Sequence, residues 1–162
     1  VTRPDGPAPE AVRAAVGAVR DPELGEVTLD DLGLVRAVVQ RGGTVAVELV
    51  PTFLGCPARG VIEADVRRAV LPWPAEITWC HEVWNEERVT PAGRAKLAGL
   101  GTVVGDGPCP RCAGRLEVLL PDGAAACRSV ARCTACGELV DVLRGPASNV
   151  RLGARRGSYA HL

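Results

Sequence analysis

Methionine is absent from these 162 residues, lysine occurs once, at Lys96, and aromatic side chains make up 3% of the chain. With so few rings, a hydrophobic core has to be built from Val, Leu and Ala. Basic charge rests on arginine, and the accompanying Ala, Gly, Val and Pro bias is that of a GC-rich bacterial genome. The missing methionine extends to position 1, so the start was recoded, trimmed or mis-set. Formal net charge is zero, which argues against a general electrostatic partner such as duplex nucleic acid or an anionic membrane. No stretch approaches the roughly 20 apolar residues of a membrane-spanning helix. Val1-Thr2-Arg3-Pro4-Asp5 lacks the basic-then-apolar plan of a secretory signal. Histidine is confined to His81 and His161, which leaves little material for Cys–His catalysis.

Cysteine, by contrast, is plentiful. Cys109-Pro110-Arg111-Cys112 is followed, twenty residues later, by Cys133-Thr134-Ala135-Cys136. Each pair is spaced to grip one ion, and two such knuckles complete a tetrahedral thiolate site. A soft S₄ set suits structural zinc, with iron as the alternative. Metal-ligand spacing of this kind fits a reducing compartment better than a disulfide framework, so the cytoplasm is expected. A module of this size buries too little apolar surface to fold alone, and the metal would supply its folding energy. Gly114 and Gly137, just after each knuckle, suit the tight backbone that turns amides toward the sulfurs. Nucleic-acid binding is disfavoured, because Arg111, Arg115, Arg128, Arg132 and Arg144 are matched by Asp106, Glu117, Asp122, Glu138 and Asp141. Cys127, between the knuckles, reads either as a small buried hydrophobe or as a neighbour of the metal.

The remaining chain is expected to be α+β. Residues 1–8 read as disordered. Val12, Val16 and Val19 mark one stripe of a helix from Pro9 to Arg20, stopped by Asp21-Pro22-Glu23. Strands follow over Leu34–Arg41 and Thr44–Val50, joined at Gly42-Gly43. A second helix, with Pro57 at its first position, buries Ile62, Val66, Ala69 and Val70 and ends at Pro72 and Pro74. A third strand covers Ala75–Val83, with His81 on its apolar face. Thr90 caps a short helix through Leu97. The expected organisation is an α-β-β-α-β domain over 9–98 with its helices on one side of the sheet, a linker over 99–108, a zinc ribbon over 109–144 and a loose tail over 145–162. The ribbon's strands are placed at Arg115–Leu120, Ala125–Arg132 and Glu138–Leu143.

Cys56 stands at the entrance of the second helix, where unpaired amides and the helix dipole would stabilise a thiolate. It reads either as a reactive or metal-binding thiol or as a half-buried cysteine without chemistry. Asp21, Glu23, Asp30 and Asp31 can equally be turn residues or solvated loop charges. Cys80 falls on the polar strand face and is assigned no role.

Asp21-Pro22-Glu23, Asp31-Leu32-Gly33-Leu34-Val35 and Thr52-Phe53-Leu54-Gly55-Cys56-Pro57 together resemble the MIP18 (DUF59) family of small α/β domains implicated in iron–sulfur protein maturation. Gly93-Arg94-Ala95-Lys96-Leu97, the C-P-R-C knuckle and Ala126-Cys127-Arg128 running into the second knuckle are similar to one branch, PaaD or PaaJ, which accompanies the phenylacetyl-CoA epoxidase (ring-oxygenase) system. Trp84-Asn85-Glu86-Glu87-Arg88 departs from the Trp-Thr-Thr-Asp-Trp usual there. The resemblance implies a non-catalytic accessory factor of phenylacetate catabolism. Its client would be an iron–sulfur protein, most plausibly the epoxidase reductase. Cys56 would be the reactive or cluster-binding thiol, supported by the loop residues Asp21, Glu23, Asp31 and Thr52, with the four knuckle cysteines as metal ligands. Because one thiol cannot hold a cluster, two Cys56 thiols would meet across a homodimer or with the client, holding a transient cluster. The alternatives are a structural component of the oxygenase complex and a thiol-dependent enzyme using Cys56.

Overall fold

Helix α1 (Pro9–Gly17) begins with proline at its first turn and buries Val12 and Val16. In this computed structural model, which describes residues 8–120 and 127–145, the helix stops three residues before the expected Arg20. There the Gly17 carbonyl accepts from the Asp30 amide at 3.1 Å, and the approach is close. A Cβ at Gly17 would lie 1.9 Å from the Asp30 carboxylate, and Arg13 is paired with the same carboxylate at 2.7 Å. The chain then runs extended through Val19, whose carbonyl accepts from the Leu29 amide at 2.8 Å, and Arg20 bridges Thr28. The expected disordered start and loose tail lie, apart from Ala8 and Gly145, outside the described residues.

β1 (Val35–Arg41) and β2 (Thr44–Leu49) pair antiparallel, and β3 (Ala75–Trp79) joins β2 in parallel to complete a sheet ordered β1-β2-β3. Gly42 and Gly43 both have positive φ, 55° and 88°, as a two-residue hairpin turn of primed type demands. Val45, Val47 and Leu49 point to one face and are buried. Onto this core α1 brings Val12 and Val16, and α2 (Arg59–Ala69) brings Ile62 and Val66. Pro57 lies two residues ahead of α2, not at its first position, and Ala69 is exposed while Val70 completes the stripe. The other sheet face carries Arg36, bonded to Glu48 at 2.6 Å and to Glu82 at 3.0 Å.

β3 ends at Trp79 instead of Val83. After Cys80, whose amide still bonds the Leu49 carbonyl at 2.7 Å, the chain leaves the sheet, and His81, expected on an apolar face, is exposed. Trp84 explains the departure. It is fully buried and donates its indole N–H to the Leu32 carbonyl at 2.8 Å, so the backbone must turn inward to deliver it. Asn85 then caps a single 3₁₀ turn over Glu86–Arg88, and Arg88 donates to the Gly33 carbonyl at 2.8 Å.

α3 (Pro91–Gly99) is capped as expected, the Thr90 hydroxyl accepting from the Gly93 amide at 3.0 Å. The stretch 99–108, expected to be a plain connection, contains strand β4 (Thr102–Val104). It pairs in parallel with β7 (Leu139–Leu143) in a second sheet ordered β4-β7-β6-β5, completed by β5 (Leu116–Leu120) and β6 (Arg128–Cys133). Three residues are too few to reveal alternation, yet they serve two cores. Val104, with Leu143, packs into the core of the first sheet, and Val103 packs with Ala131, Val140 and Val142 in a smaller cluster.

Asp31 and Lys96, the one lysine, tie α3 to the first domain at 2.6 Å. The buried carboxylate also accepts from the Thr28 amide at 2.9 Å. Burial alone would raise its pKa, but the Lys96 bond and the Thr28 contacts more than offset this and hold the carboxyl below its ordinary value. A lowered folded-state pKa gives stability that is present above the unfolded value and lost as pH falls through the folded one. Asp31→Asn is therefore expected to reduce unfolding free energy by about 1–3 kcal/mol at neutral pH. In urea titrations from pH 7 downward the difference between the two proteins should begin to shrink only near about pH 4 and close below the lowered folded-state value.

Candidate metal centre and thiol site

The knuckle cysteines converge from the ends of β5 and β6 and the turns beside them. Cys109 Sγ lies 3.8 Å from Cys136 Sγ and Cys112 Sγ 3.5 Å from Cys133 Sγ, with all four sulfurs within 4.8 Å of one another. A regular tetrahedron with zinc–sulfur bonds of about 2.3 Å has edges of about 3.8 Å, so the sulfurs fit one tetrahedral cation. The backbone is folded for this purpose. The Ala113 amide bonds the Cys109 carbonyl at 2.8 Å and the Gly137 amide the Cys133 carbonyl at 3.0 Å. The left-handed positions are Ala113 (φ 59°) and Gly137 (φ 79°). Gly114 is needed for close approach instead, since a Cβ there would sit 2.9 Å from Ala135 Cβ and 3.0 Å from Cys133 Sγ.

Amides aimed at sulfur favour thiolate. The amide of Cys136, aided by that of Ala135, holds the Cys133 thiol down to about 6 in spite of desolvation. Cys112 receives the Gly114 amide but shares protons with the Cys136 and Cys133 sulfurs, and is pushed up to about 12. Without a cation the cluster thus keeps protons between its sulfurs. Arg111 and Glu138 join the two knuckles at 2.7 Å across the exposed rim.

Cys56 occupies a different end of the molecule, in the loop between β2 and α2. Its amide bonds the Phe53 carbonyl at 3.1 Å, closing a tight turn beside exposed Phe53 and Leu54. The expectation of a stabilised thiolate is overturned. Desolvation is the largest influence and raises the Cys56 pKa; the carboxylates of Glu23 and Asp21 raise it further, outweighing the Ala58 amide and Arg59. The helix amides that were to activate it start two residues further on, with Ala58 as the cap. Asp21 accepts from the Glu23 and Leu24 amides at 2.9 and 3.1 Å, holding the turn that aims these carboxylates toward the thiol.

Asp21, Glu23, Thr52 and Cys56 are thus brought together, and Asp31 is not: it is committed to Lys96 and Thr28. The sequence leaves Cys127 open between a small buried hydrophobe and a neighbour of the metal, and the structure supports the first. It sits just before β6 while Cys133 ends that strand, so a rise of about 3.3 Å per residue places it about 20 Å from the knuckles along the strand. It packs half-buried against the same core as Cys56, and burial pushes its thiol up. The one clue in the sequence was Arg128 beside it, which reaches Glu23 at 3.9 Å. Cys80 is half-buried near Arg36 instead.

An α+β domain bearing a thiol–carboxylate site, joined to a four-sulfur cation site, defines a protein of soft-metal chemistry. Residues 9–78 match the family model described as iron–sulfur cluster assembly protein. The chain is 36% identical over 78 residues to the Fe–S protein maturation auxiliary factor YitW of Bacillus subtilis, spanning 47% of this chain and 76% of that one. It is 29% identical over 147 residues to a putative 1,2-phenylacetyl-CoA epoxidase subunit of Escherichia coli, spanning 81% of this chain and 89% of that one. The crystal structure of a DUF59 domain from Bacillus anthracis, 28% identical, matches with a TM-score of 0.51 over 55% of this chain and 90% of that one. The chain belongs to the MIP18 (DUF59) family of iron–sulfur cluster assembly proteins. It is an accessory factor of iron–sulfur assembly, in a family whose members are typically non-catalytic. Among the described residues no helix is long and apolar enough to cross a membrane.

Two outcomes follow from this geometry. Cobalt(II) titration should saturate the knuckles at one equivalent per chain with thiolate-to-cobalt absorption. Gly114→Ala should weaken that binding and Cys133→Ser should abolish it. With the knuckles metal-filled, iodoacetamide at pH 7 should alkylate Cys56 more slowly than a free cysteine, and Glu23→Gln should speed the reaction several-fold, read by mass spectrometry.

Proposed function

We propose that this chain serves phenylacetate catabolism by helping to place or restore an iron–sulfur centre in the phenylacetyl-CoA epoxidase system, with the reductase as client. The observation that carries the reading is the length of the match to the epoxidase relative of Escherichia coli, which spans 81% of this chain and so takes in residues of both sheets. The family model for iron–sulfur assembly matches residues 9–78, and the maturation factor YitW matches over 47% of this chain. The second module is then what separates this chain from general maturation factors. In this reading its four sulfurs hold a permanent zinc ion, whose chemistry is to neutralise the thiolates and fasten the ends of β5 and β6. Residues 9–98 act as the assembly domain, 109–144 as the zinc module, and the cytoplasm is the place of work.

Cys56 is the thiol that meets iron, with Asp21, Glu23 and Thr52 around it. The exposed apolar side chains Phe53, Leu54 and Val61 border it in sequence and suit a protein client better than a small polar one. Enzymatic use of the thiol is disfavoured by its raised pKa and by the exposed position of His81. A second reading, a structural component of the oxygenase complex, is favoured by the name of the Escherichia coli relative.

Deleting the gene should leave the reductase polypeptide present but deficient in its [2Fe–2S] absorption and in electron transfer, restored by the intact chain and not by Cys56→Ser. A fully loaded reductase in the deletion strain would refute the reading. Stoichiometric co-purification of the chain with the oxygenase would support the structural alternative, while an assembly factor is expected at well below one copy per complex.

A further inference from the structure

The two edges of the second sheet are finished differently. At one side stands β4, three residues long and buried throughout. At the other stands β5, where Glu117, Leu119 and Leu120 are exposed and where, among the described residues, β6 is the sole pairing strand. One hydrogen bond fixes the direction of its main chain. The Arg115 carbonyl accepts from the Thr134 amide at 3.0 Å, so Arg115 and Glu117 turn their peptide groups toward β6. By the alternation of an antiparallel ladder, Leu116 and Val118 turn theirs outward. The Thr134 hydroxyl donates to the same Arg115 carbonyl at 3.2 Å, which fastens the start of this edge to the second knuckle.

A cavity of about 610 Å³ adjoins the edge. One wall is the loop 105–108, held by the Gly105 amide on the Leu143 carbonyl at 2.9 Å. The facing wall is the continuous run 113–118. Side chains of a strand alternate between its two faces, so a cavity that touches Leu116, Glu117 and Val118 alike reaches the side of β5. Ala131 and Val142 give it an apolar floor, in the cluster on which Leu116 and Val118 also pack. Among the charged lining residues, Arg115 and Arg144 are balanced by Asp106 and Glu117, so neither sign of ligand charge is selected.

We propose that this edge and its cavity receive an extended, uncharged segment of a partner protein, added to the four-stranded sheet as a further strand. The N–H and C=O groups of Leu116 and Val118 pair with the segment, and its alternate apolar side chains enter the cavity over Ala131 and Val142. A second copy of this chain fits less well. The register of β5 against β6 shifts between Val118 and Leu120, and such a bulge bends a strand and ends its regular edge. The open stretch is therefore long enough for a short peptide and too short for a continuous ladder between two copies. The site belongs to the second module and does not depend on the reading of Cys56. Gly114, which lines the cavity, is also the residue whose missing side chain leaves room for the Cys133 sulfur.

A random decapeptide library panned on full-length, zinc-filled protein tests the site. Enriched peptides should carry apolar side chains at alternate positions, and a synthetic copy should bind once per chain. In the free protein the Leu116 and Val118 amides should exchange rapidly with deuterium, and the peptide should slow them about tenfold or more. Val118→Pro removes one outward N–H and leaves the bonds to β6 in place. It should weaken the peptide about tenfold or more while zinc content and thermal melting report an intact fold. Should that variant fail to fold, methylated peptides decide on the intact protein: N-methylation of one alternate set of peptide amides should abolish binding and of the other set should spare it. An equal effect of both sets overturns the pairing. So does wild-type affinity in folded Val118→Pro, a selection that enriches no alternating peptide, or a peptide that protects the Cys56 loop instead. Amides at Leu116 and Val118 already protected in the free protein overturn it as well, since a second copy or the remainder of the chain would then fill the edge.

Discussion

Four sulfurs within 4.8 Å of one another cannot all be thiolates unless a cation sits between them. In its absence the cluster has to retain protons, as the opposite displacements of Cys112 and Cys133 show. That conflict is what the second sheet is built around. β5 and β6 leave the cluster together, β7 pairs with β6 after the second knuckle, and β4 closes on β7. A cation that relieves the repulsion therefore fixes the register of strands that supply Val104 and Leu143 to the first core. Metal binding at one end of the molecule and packing at the other are parts of one folding equilibrium.

The seam between the sheets shows why the second module is not a bead on a string. Val104 and Leu143 of the second sheet pack into the same core as Trp84, and Glu86 accepts from the Gly145 amide at 2.8 Å. Trp84 to Leu32 at 2.8 Å and Lys96 to Asp31 at 2.6 Å brace the first domain's side. Glycines make these approaches feasible. A Cβ at Gly93 would meet the Asp31 carbonyl at 2.4 Å, and one at Gly33, already at φ 64°, would meet the Arg88 carbonyl at 2.3 Å. The Asp31-Leu32-Gly33 motif is thereby a hinge plate for α3 and the 3₁₀ turn, and its family resemblance is explained by packing before any role at the thiol.

Local rules made much of this legible. Pro9, Thr90-Pro91, Gly42-Gly43 and the alternation of Val45, Val47 and Leu49 each act within a few residues, and each produced the element expected of it. The four-cysteine cluster was legible for the same reason, since each C-x-x-C is a local device. What spacing could not carry was contact between distant segments. Asp30 approaches the end of α1 at Gly17, Trp84 is buried just after β3, and β4 places Val103 and Val104 in two separate clusters. The reach of Arg128 across to Glu23 belongs to the same category, being the product of a docked sheet.

The direction of the Cys56 displacement changes what kind of thiol a carrier needs. A thiolate poised by a helix dipole binds metal tightly and reacts with any electrophile. A thiol kept neutral by burial and by Glu23 and Asp21 must lose its proton for every metal bond it forms. Protons would then compete with any metal at that sulfur, because the nearby carboxylates stabilise the protonated thiol. The knuckles oppose this balance: there the Cys136 and Ala135 amides favour the bare Cys133 thiolate, which suits an ion that stays. The two regions thus differ in what governs the proton: burial and carboxylates at Cys56, and at the knuckles a division in which Cys133 is favoured as thiolate while Cys112 keeps its proton.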